Sequence, residues 1–193
     1  MKKYLPLIII IGAILLIGLW FMNIKNGAIT INQATEKEWG NVETAYQRRN
    51  DLIGNLVNTV KGVADFEKST LTAVVEARSK ATSVNVDAKN LNANDINRFN
   101  QAQTAVNSSL SRLLVSVEKY PELKATENFK QLQDELASTE NQILTARTRF
   151  NEAVQGYNTY ILKIPNSWFL GEYKTKSFFT SVAGADKPVE VKF

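Results

Sequence analysis

Arg48-Arg49-Asn50-Asp51 is the densest run of charged and amide side chains on a helical face of this 193-residue chain. Arg49 falls on a position that recurs with apolar residues three and four places away. A guanidinium there must find a partner or reach water along its stem, because an unpaired buried charge is too costly. Two carboxylates can serve: Asp51 locally, and Glu140 in the triplet Thr139-Glu140-Asn141. Read structurally, Arg49, Asp51 and Glu140 form a buried polar cluster whose ion pair fixes the register of packed helices. Read functionally, they form a ligand or proton site inside a bundle. No reaction follows from an Arg–Glu pair alone.

Other chemistry is narrowed by what is missing. The chain has no Cys and no His, which removes thiolate metal sites, thiol catalysis and the Ser-His-Asp triad. A di-metal bundle site needs Glu-x-x-His pairs, and an oxygen-only cation site needs clustered acids in a loop. The loop Asp87–Asp95 offers its two terminal acids and amides, so no metal and no cofactor are expected. The Lys68-Ser69 and Ser79-Lys80 pairs are adjacent on charged helical faces and point in different directions, unlike a desolvated catalytic Ser–Lys pair. Gly54 and Gly62 sit in helical pattern, not in a phosphate-cradling loop. The net charge is +4, yet basic residues alternate with acids along each helix, so nucleic-acid binding is not expected.

The elements that must position these residues are helical. From Leu5 to Met22 the chain carries no charge, and ~18 residues at ~1.5 Å each nearly cross a ~30 Å hydrocarbon core. Pro6 lies in the first turn, and Trp20 with Phe21 closes the far end at headgroup depth. A cleaved signal peptide fits less well, because the run is longer than the usual apolar region and lacks a small-residue cleavage site. Lys2 and Lys3 precede the span and Lys25 follows it. The positive-inside rule then leaves residues 1–4 in the cytoplasm and residues 26–193 on the outer side, periplasmic or cell-surface in a bacterium. Every acid lies beyond residue 35. The basic excess is therefore mainly a topology signal.

Asn23, Asn26, Gly27 and the β-branched Ile29-Thr30-Ile31 predict a tether over 23–34. Thr35 with Glu38 reads as a capping box opening a helix. Trp39, Val42, Tyr46, Arg49, Ile53, Leu56, Val60 and Val63 alternate three and four, a coiled-coil-like seam. The stripe drifts on through Ala64, Leu71, Val74 and Ala77, so this helix is expected to run to about residue 80. A second seam spans Ile96, Phe99, Gln103, Val106, Leu110, Leu113, Val117 and Tyr120, stopped by Pro121. A third spans Phe129, Leu132, Leu136, Thr139, Ile143, Ala146, Phe150, Val154, Tyr157 and Ile161, bounded by Pro165. The fold class expected is all-α: a transmembrane helix, then an elongated antiparallel three- to four-helix bundle over 35–162. Leu52, Val57 and Ala64 lie beside the first seam and offer a face for a homo-oligomer.

Residues 163–193 lose the helical period but gather Trp168, Phe169, Tyr173, Phe178, Phe179 and Phe193. Such a tail covers the bundle, binds a partner or contacts a membrane surface. Val189–Phe193 alternates like a short strand.

Ala45–Ala81 (AYQRRNDLIGNLVNTVKGVADFEKSTLTAVVEARSKA), Glu118–Leu123 (EKYPEL), Leu132–Arg147 (LQDELASTENQILTAR) and Phe150–Pro165 (FNEAVQGYNTYILKIP) together resemble the LemA family. The resemblance covers nearly all of the chain beyond the anchor. It implies an elongated helical bundle tethered to a bacterial membrane, and it implies no particular reaction. The function expected is a membrane-anchored scaffold or adaptor of the envelope, not an enzyme, working by contact with a protein partner. Two alternatives are an enzyme with a site around Arg49 and Glu140, and a lipid-surface module using the C-terminal aromatics.

Overall fold

A computed structural model describes residues 4–63 and 66–180; the expected strand Val189–Phe193, and Ala64 with it, lies outside them. The described residues form five α-helices: α1 (Leu5–Lys61), α2 (Lys68–Thr82), α3 (Ala93–Val117), α4 (Pro121–Ala125) and α5 (Glu127–Leu162). Short 3-10 turns lie between α2 and α3 at Ala88–Asn90 and after α5 at Asn166–Trp168. The protein is an all-helical bundle with an apolar N-terminal helix long enough to cross a membrane.

The tether is not observed. Helix α1 runs unbroken for 57 residues, about 85 Å at ~1.5 Å per residue. The seam extends backwards through the stretch that reads as a breaker: Ile24, Ala28 and Thr35 are buried, and Ile31 partly so. Glycine and asparagine each cost up to ~1 kcal/mol in a helix, whereas burying one aliphatic side chain returns ~1.5–3 kcal/mol. Packing therefore outweighs local propensity. Thr35 is not a cap either. It lies mid-helix, fully buried, and its hydroxyl donates to Ile31 O (3.0 Å) and Ala153 O (3.4 Å).

The first helix also ends earlier than its apolar stripe suggests. Gly62 is the C-cap of α1, its N–H bonded to Thr59 O and Val60 O, and the chain reverses before α2. Phe66 is buried and its ring meets that of Tyr120 at 4.9 Å. The reversal folds Leu71, Val74, Ala77 and Ala81 back onto Leu52, Ile53, Leu56 and Val57. The face reserved for a homo-oligomer is thus covered by α2: Leu52 and Val57 are buried within the chain.

Helix α5 runs antiparallel to α1 along nearly its whole length outside the span. Gly27 faces Tyr160, Thr35 faces Ala153, Trp39 faces Phe150 and Arg49 faces Glu140. Helices α2 and α3 complete the end remote from the span. Asn92 caps α3, its side chain accepting from the N–H groups of Asn94 (2.9 Å) and Asp95 (3.1 Å).

Gly27 has a role that propensity does not reveal. The Tyr160 hydroxyl crosses to donate to Ile24 O at 3.0 Å, and a Cβ on residue 27 would stand 2.1 Å from that oxygen and 2.8 Å from Cζ. Intrinsic propensity alone says that Gly27→Ala stabilises a helix by ~1 kcal/mol. The observed approach reverses the sign: we expect a loss of roughly 1–3 kcal/mol, as overpacking typically costs. Tyr160→Phe should recover part of it by removing the nearest atom. Thermal unfolding of both single variants and the double variant checks this; a stabilised Gly27→Ala protein would contradict the close contact.

Candidate functional site

Arg49 is carried into the interior because its position belongs to the α1 seam, with Tyr46 one turn before it and Ile53 one turn after. It is 1% exposed. Its Nη1 donates to Glu140 Oε1 (3.0 Å) on α5 and to Asn107 Oδ1 (2.9 Å) on α3. Its Nη2 donates to Gln103 Oε1 (2.5 Å), also on α3. The guanidinium carbon lies 4.8 Å from the Tyr46 ring centroid. One planar fork thus ties three helices at one level, a geometry that a lysine ammonium on a flexible stem does not reproduce. Glu140 is half exposed, so the pair is closed on the Arg side and wet on the carboxylate side.

Asp51 does not join this cluster. It is exposed, accepts from Gln47 Nε2 (3.0 Å) and faces Arg78 Nη2 of α2 at 3.5 Å. Two residues beyond Arg49 on a helix is ~200° around the axis, so both cannot face one interior. The Asp51–Arg78 pair ties α1 to α2, and the Arg78 guanidinium lies over Gly54, whose absent Cβ would stand 3.1 Å from its Cζ. As an exposed pair it adds at most ~1 kcal/mol.

Two further residues belong to the Arg49 cluster, Gln103 and Asn107. A sequence signal existed for Gln103: each of the three seams carries a polar residue (Arg49, Gln103, Thr139), and all three are buried. Polar interruptions in facing seams point to one another, because each needs a partner. Tyr46 borders the cluster. Burial raises its phenol above the usual value, opposed by the nearby Arg147 and Arg49 charges. Its hydroxyl is thus held neutral.

Below this level lies an aromatic box. Trp39, Phe99, Phe150 and Phe179 pack with ring centroids 5.3–6.2 Å apart. Phe179 comes from the tail and is buried, with the Arg147 guanidinium 4.7 Å from its ring. The tail reaches this box along α5, held by two asparagines. Asn158 accepts from Lys176 N–H and donates to Lys176 O; Asn151 does the same for Phe179, all at 2.9 Å. Seven residues on a helix span ~10.5 Å and three extended residues ~10 Å. The two side-chain amides therefore match the repeat of an extended strand and stand in for a sheet edge.

Lys176 is buried between these clamps. Its Nζ donates to Ala88 O (2.7 Å) and lies 5.3 Å from the Tyr157 ring. Burial lowers its pKa, opposed by Glu36 and Asp87. Beside it lies a groove of about 500 Å³ bordered by Glu36, Asn32, Lys89, Asn92 and Glu172.

The five tail aromatics among the described residues divide by environment. Phe179 is core. Phe169 and Tyr173 pack partly buried beside Ile24, Ala28 and Leu170. Trp168 (70% exposed) and Phe178 (42% exposed) face outward.

Residues 38–193 match the family model of the LemA family. Magnetosome protein MamQ 2 of Paramagnetospirillum magneticum is 25% identical, over 85% of this chain and 67% of its own. Magnetosome protein MamQ of Magnetospirillum gryphiswaldense is 22% identical over the same shares. Protein LemA of Metamycoplasma hominis is 23% identical, over 62% of this chain and 51% of its own. Two pairs of residues from the segments quoted above meet in space, Arg49 with Glu140 and Asp51 with Arg78. With residues 38–193 matched, and with a helical bundle that follows an apolar helix long enough to cross a membrane, the chain belongs to the LemA family.

Proposed function

We propose that this protein is a single-pass scaffold or adaptor of the bacterial envelope, acting through protein–protein contact and not as an enzyme. One observation carries the reading: the membrane-spanning segment and the first helix of the bundle are one continuous helix. A flexible linker lets a domain search; a continuous helix clamped by α5 fixes its height and direction relative to the bilayer. The Arg49 cluster supports the same reading, since the guanidinium is closed off from solvent and directs both terminal nitrogens to side chains of the bundle itself. In this reading residues beyond the span lie outside the cytoplasm, because Lys2 and Lys3 precede the span and a single lysine, Lys25, follows it closely.

The absence of native cysteine permits one experiment on both points. Single cysteines replace Val75, Val115 and Leu144, all exposed and on three different helices. A membrane-impermeant, photoactivatable maleimide is then applied to intact cells. Labelling of all three is expected, with discrete protein adducts from some faces and not from others. Labelling only after the membrane is opened would overturn the orientation. Labelling without adducts at any position would overturn the scaffold.

A further inference from the structure

Helix α5 ends at Leu162 beside the point where α1 leaves its apolar span. From Leu7 to Met22 the large side chains of α1 are exposed save Phe21, and from Ile24 onward one face of the helix is covered. The cover begins with the corner that follows α5. The Phe169 ring meets Trp20 at 5.7 Å and Phe21 at 5.5 Å, both edge to face. The corner therefore lies at the depth of the aromatic end of the span.

This corner is a built shape. Asn166 is buried and donates to Tyr160 O at 3.0 Å, while its own carbonyl accepts from the N–H groups of Phe169 (2.9 Å) and Leu170 (3.0 Å). The turn so held places Leu170 inward at 2% exposure and leaves Leu162 (61%), Ile164 (71%) and Trp168 (70%) outward. Isolated exposed apolar side chains are ordinary on any protein; three within seven residues, beside a ring that meets the aromatic end of the exposed apolar span, are not. Basic groups sit at the same level: Lys25 Nζ lies 5.3 Å from the Phe21 ring and pairs with Glu172 at 3.0 Å, and Lys163 Nζ lies 5.1 Å from the Tyr160 ring. Tryptophan, lysine and aliphatic side chains in this order are what a headgroup layer accepts.

We propose that the α5–tail corner is a bilayer seat. Leu162, Ile164 and Trp168 enter the headgroup layer of the leaflet from which α1 emerges, and this second contact sets the tilt of the rod. The occupant is phospholipid, because the patch adjoins Phe169, whose ring meets the aromatic end of an exposed helix apolar enough to cross a membrane. The inference goes beyond the scaffold reading and stands without it.

The test uses the full chain in vesicles of phosphatidylethanolamine and phosphatidylglycerol, at low protein density. A nitroxide is attached singly through Ile164→Cys, Trp168→Cys, Val115→Cys or Leu144→Cys, and its collisions with oxygen and with a water-soluble nickel chelate are measured. The last two positions are 70% and 65% exposed, matched to the corner but remote from the span. Collisions at Ile164 and Trp168 should shift several-fold from nickel toward oxygen relative to Val115 and Leu144. Equal ratios at all four positions would place the corner in water and overturn the seat. Low collision with both reagents at Ile164 and Trp168 would mean a protein contact there and would overturn it equally.

Discussion

Replacing Arg49 by methionine is expected to destabilise the protein by roughly 2–4 kcal/mol, although methionine preserves most of the volume. The guanidinium is the shared donor for Gln103, Asn107 and Glu140. Without it, the buried Gln103 loses this charged donor. Glu140 is half exposed and stays solvated, which keeps the loss below that of a fully buried pair with one partner removed. Glu140→Gln should cost less, about 1–2 kcal/mol, because an amide oxygen still accepts from Nη1 while the charge is lost. Arg49→Lys should not restore stability, since one ammonium cannot serve acceptors on two helices from both sides. In a chain of this size each kcal/mol moves the thermal midpoint by ~2–4 °C, so the three variants are readily ranked by calorimetry in detergent. An Arg49→Met protein more stable than the parent would reverse the assignment. A charge kept at a cost in stability would then need a role other than holding the bundle together, either fixing helix register or the functional alternative.

Phe179→Ala carries the second large effect. The ring contacts Trp39, Phe99 and Phe150, and truncating a buried phenylalanine costs ~3–5 kcal/mol in a closed core. Here the loss is limited by an alternative. The tail can detach locally instead of unfolding the bundle, so the observed loss cannot exceed the free energy of docking it. The expected result is therefore twofold: a lowered thermal midpoint, and rapid proteolytic cutting between residues 171 and 180 with α1 to α5 intact. Trp39 fluorescence should shift to the red as its stacking partner leaves. Unchanged resistance of the tail to protease would show that Asn151 and Asn158 alone hold it.

The parts of this architecture that were legible beforehand have a common character. Arg49 could be placed in the interior, and Glu140 named as its partner, because both follow from periodicity and from the cost of burying an unpaired charge. Asp51 stands outside that cluster, paired with Arg78. Proximity in sequence suggested a partner, but two residues along a helix turn to nearly opposite sides. The aromatic tail was legible as a cover for the bundle, and Phe179 behaves as one. The means of attachment was not legible, because Asn151 and Asn158 look like ordinary polar residues until an extended segment of matching repeat lies beside them.

The two errors in element boundaries are of one kind. Gly27 and its neighbours read as a break and are continuous; Gly62 reads as tolerated and is the turn. Glycine carries the same local cost of ~1 kcal/mol at both places. What differs lies far away in the chain: Tyr160 needs a notch at Gly27, while Phe66 finds Tyr120 only if the helix stops at Gly62. Composition and periodicity alone determined that this protein has an apolar N-terminal helix long enough to cross a membrane, that the rest is a helical bundle, and which residues form its main seams. Those properties depend on residues within a few turns of one another. Where helices begin and end, whether the anchor is jointed or rigid, and which carboxylate meets which guanidinium were decided only by tertiary structure. Each depends on contacts between residues far apart in sequence, where burial worth several kcal/mol outweighs preferences worth about one.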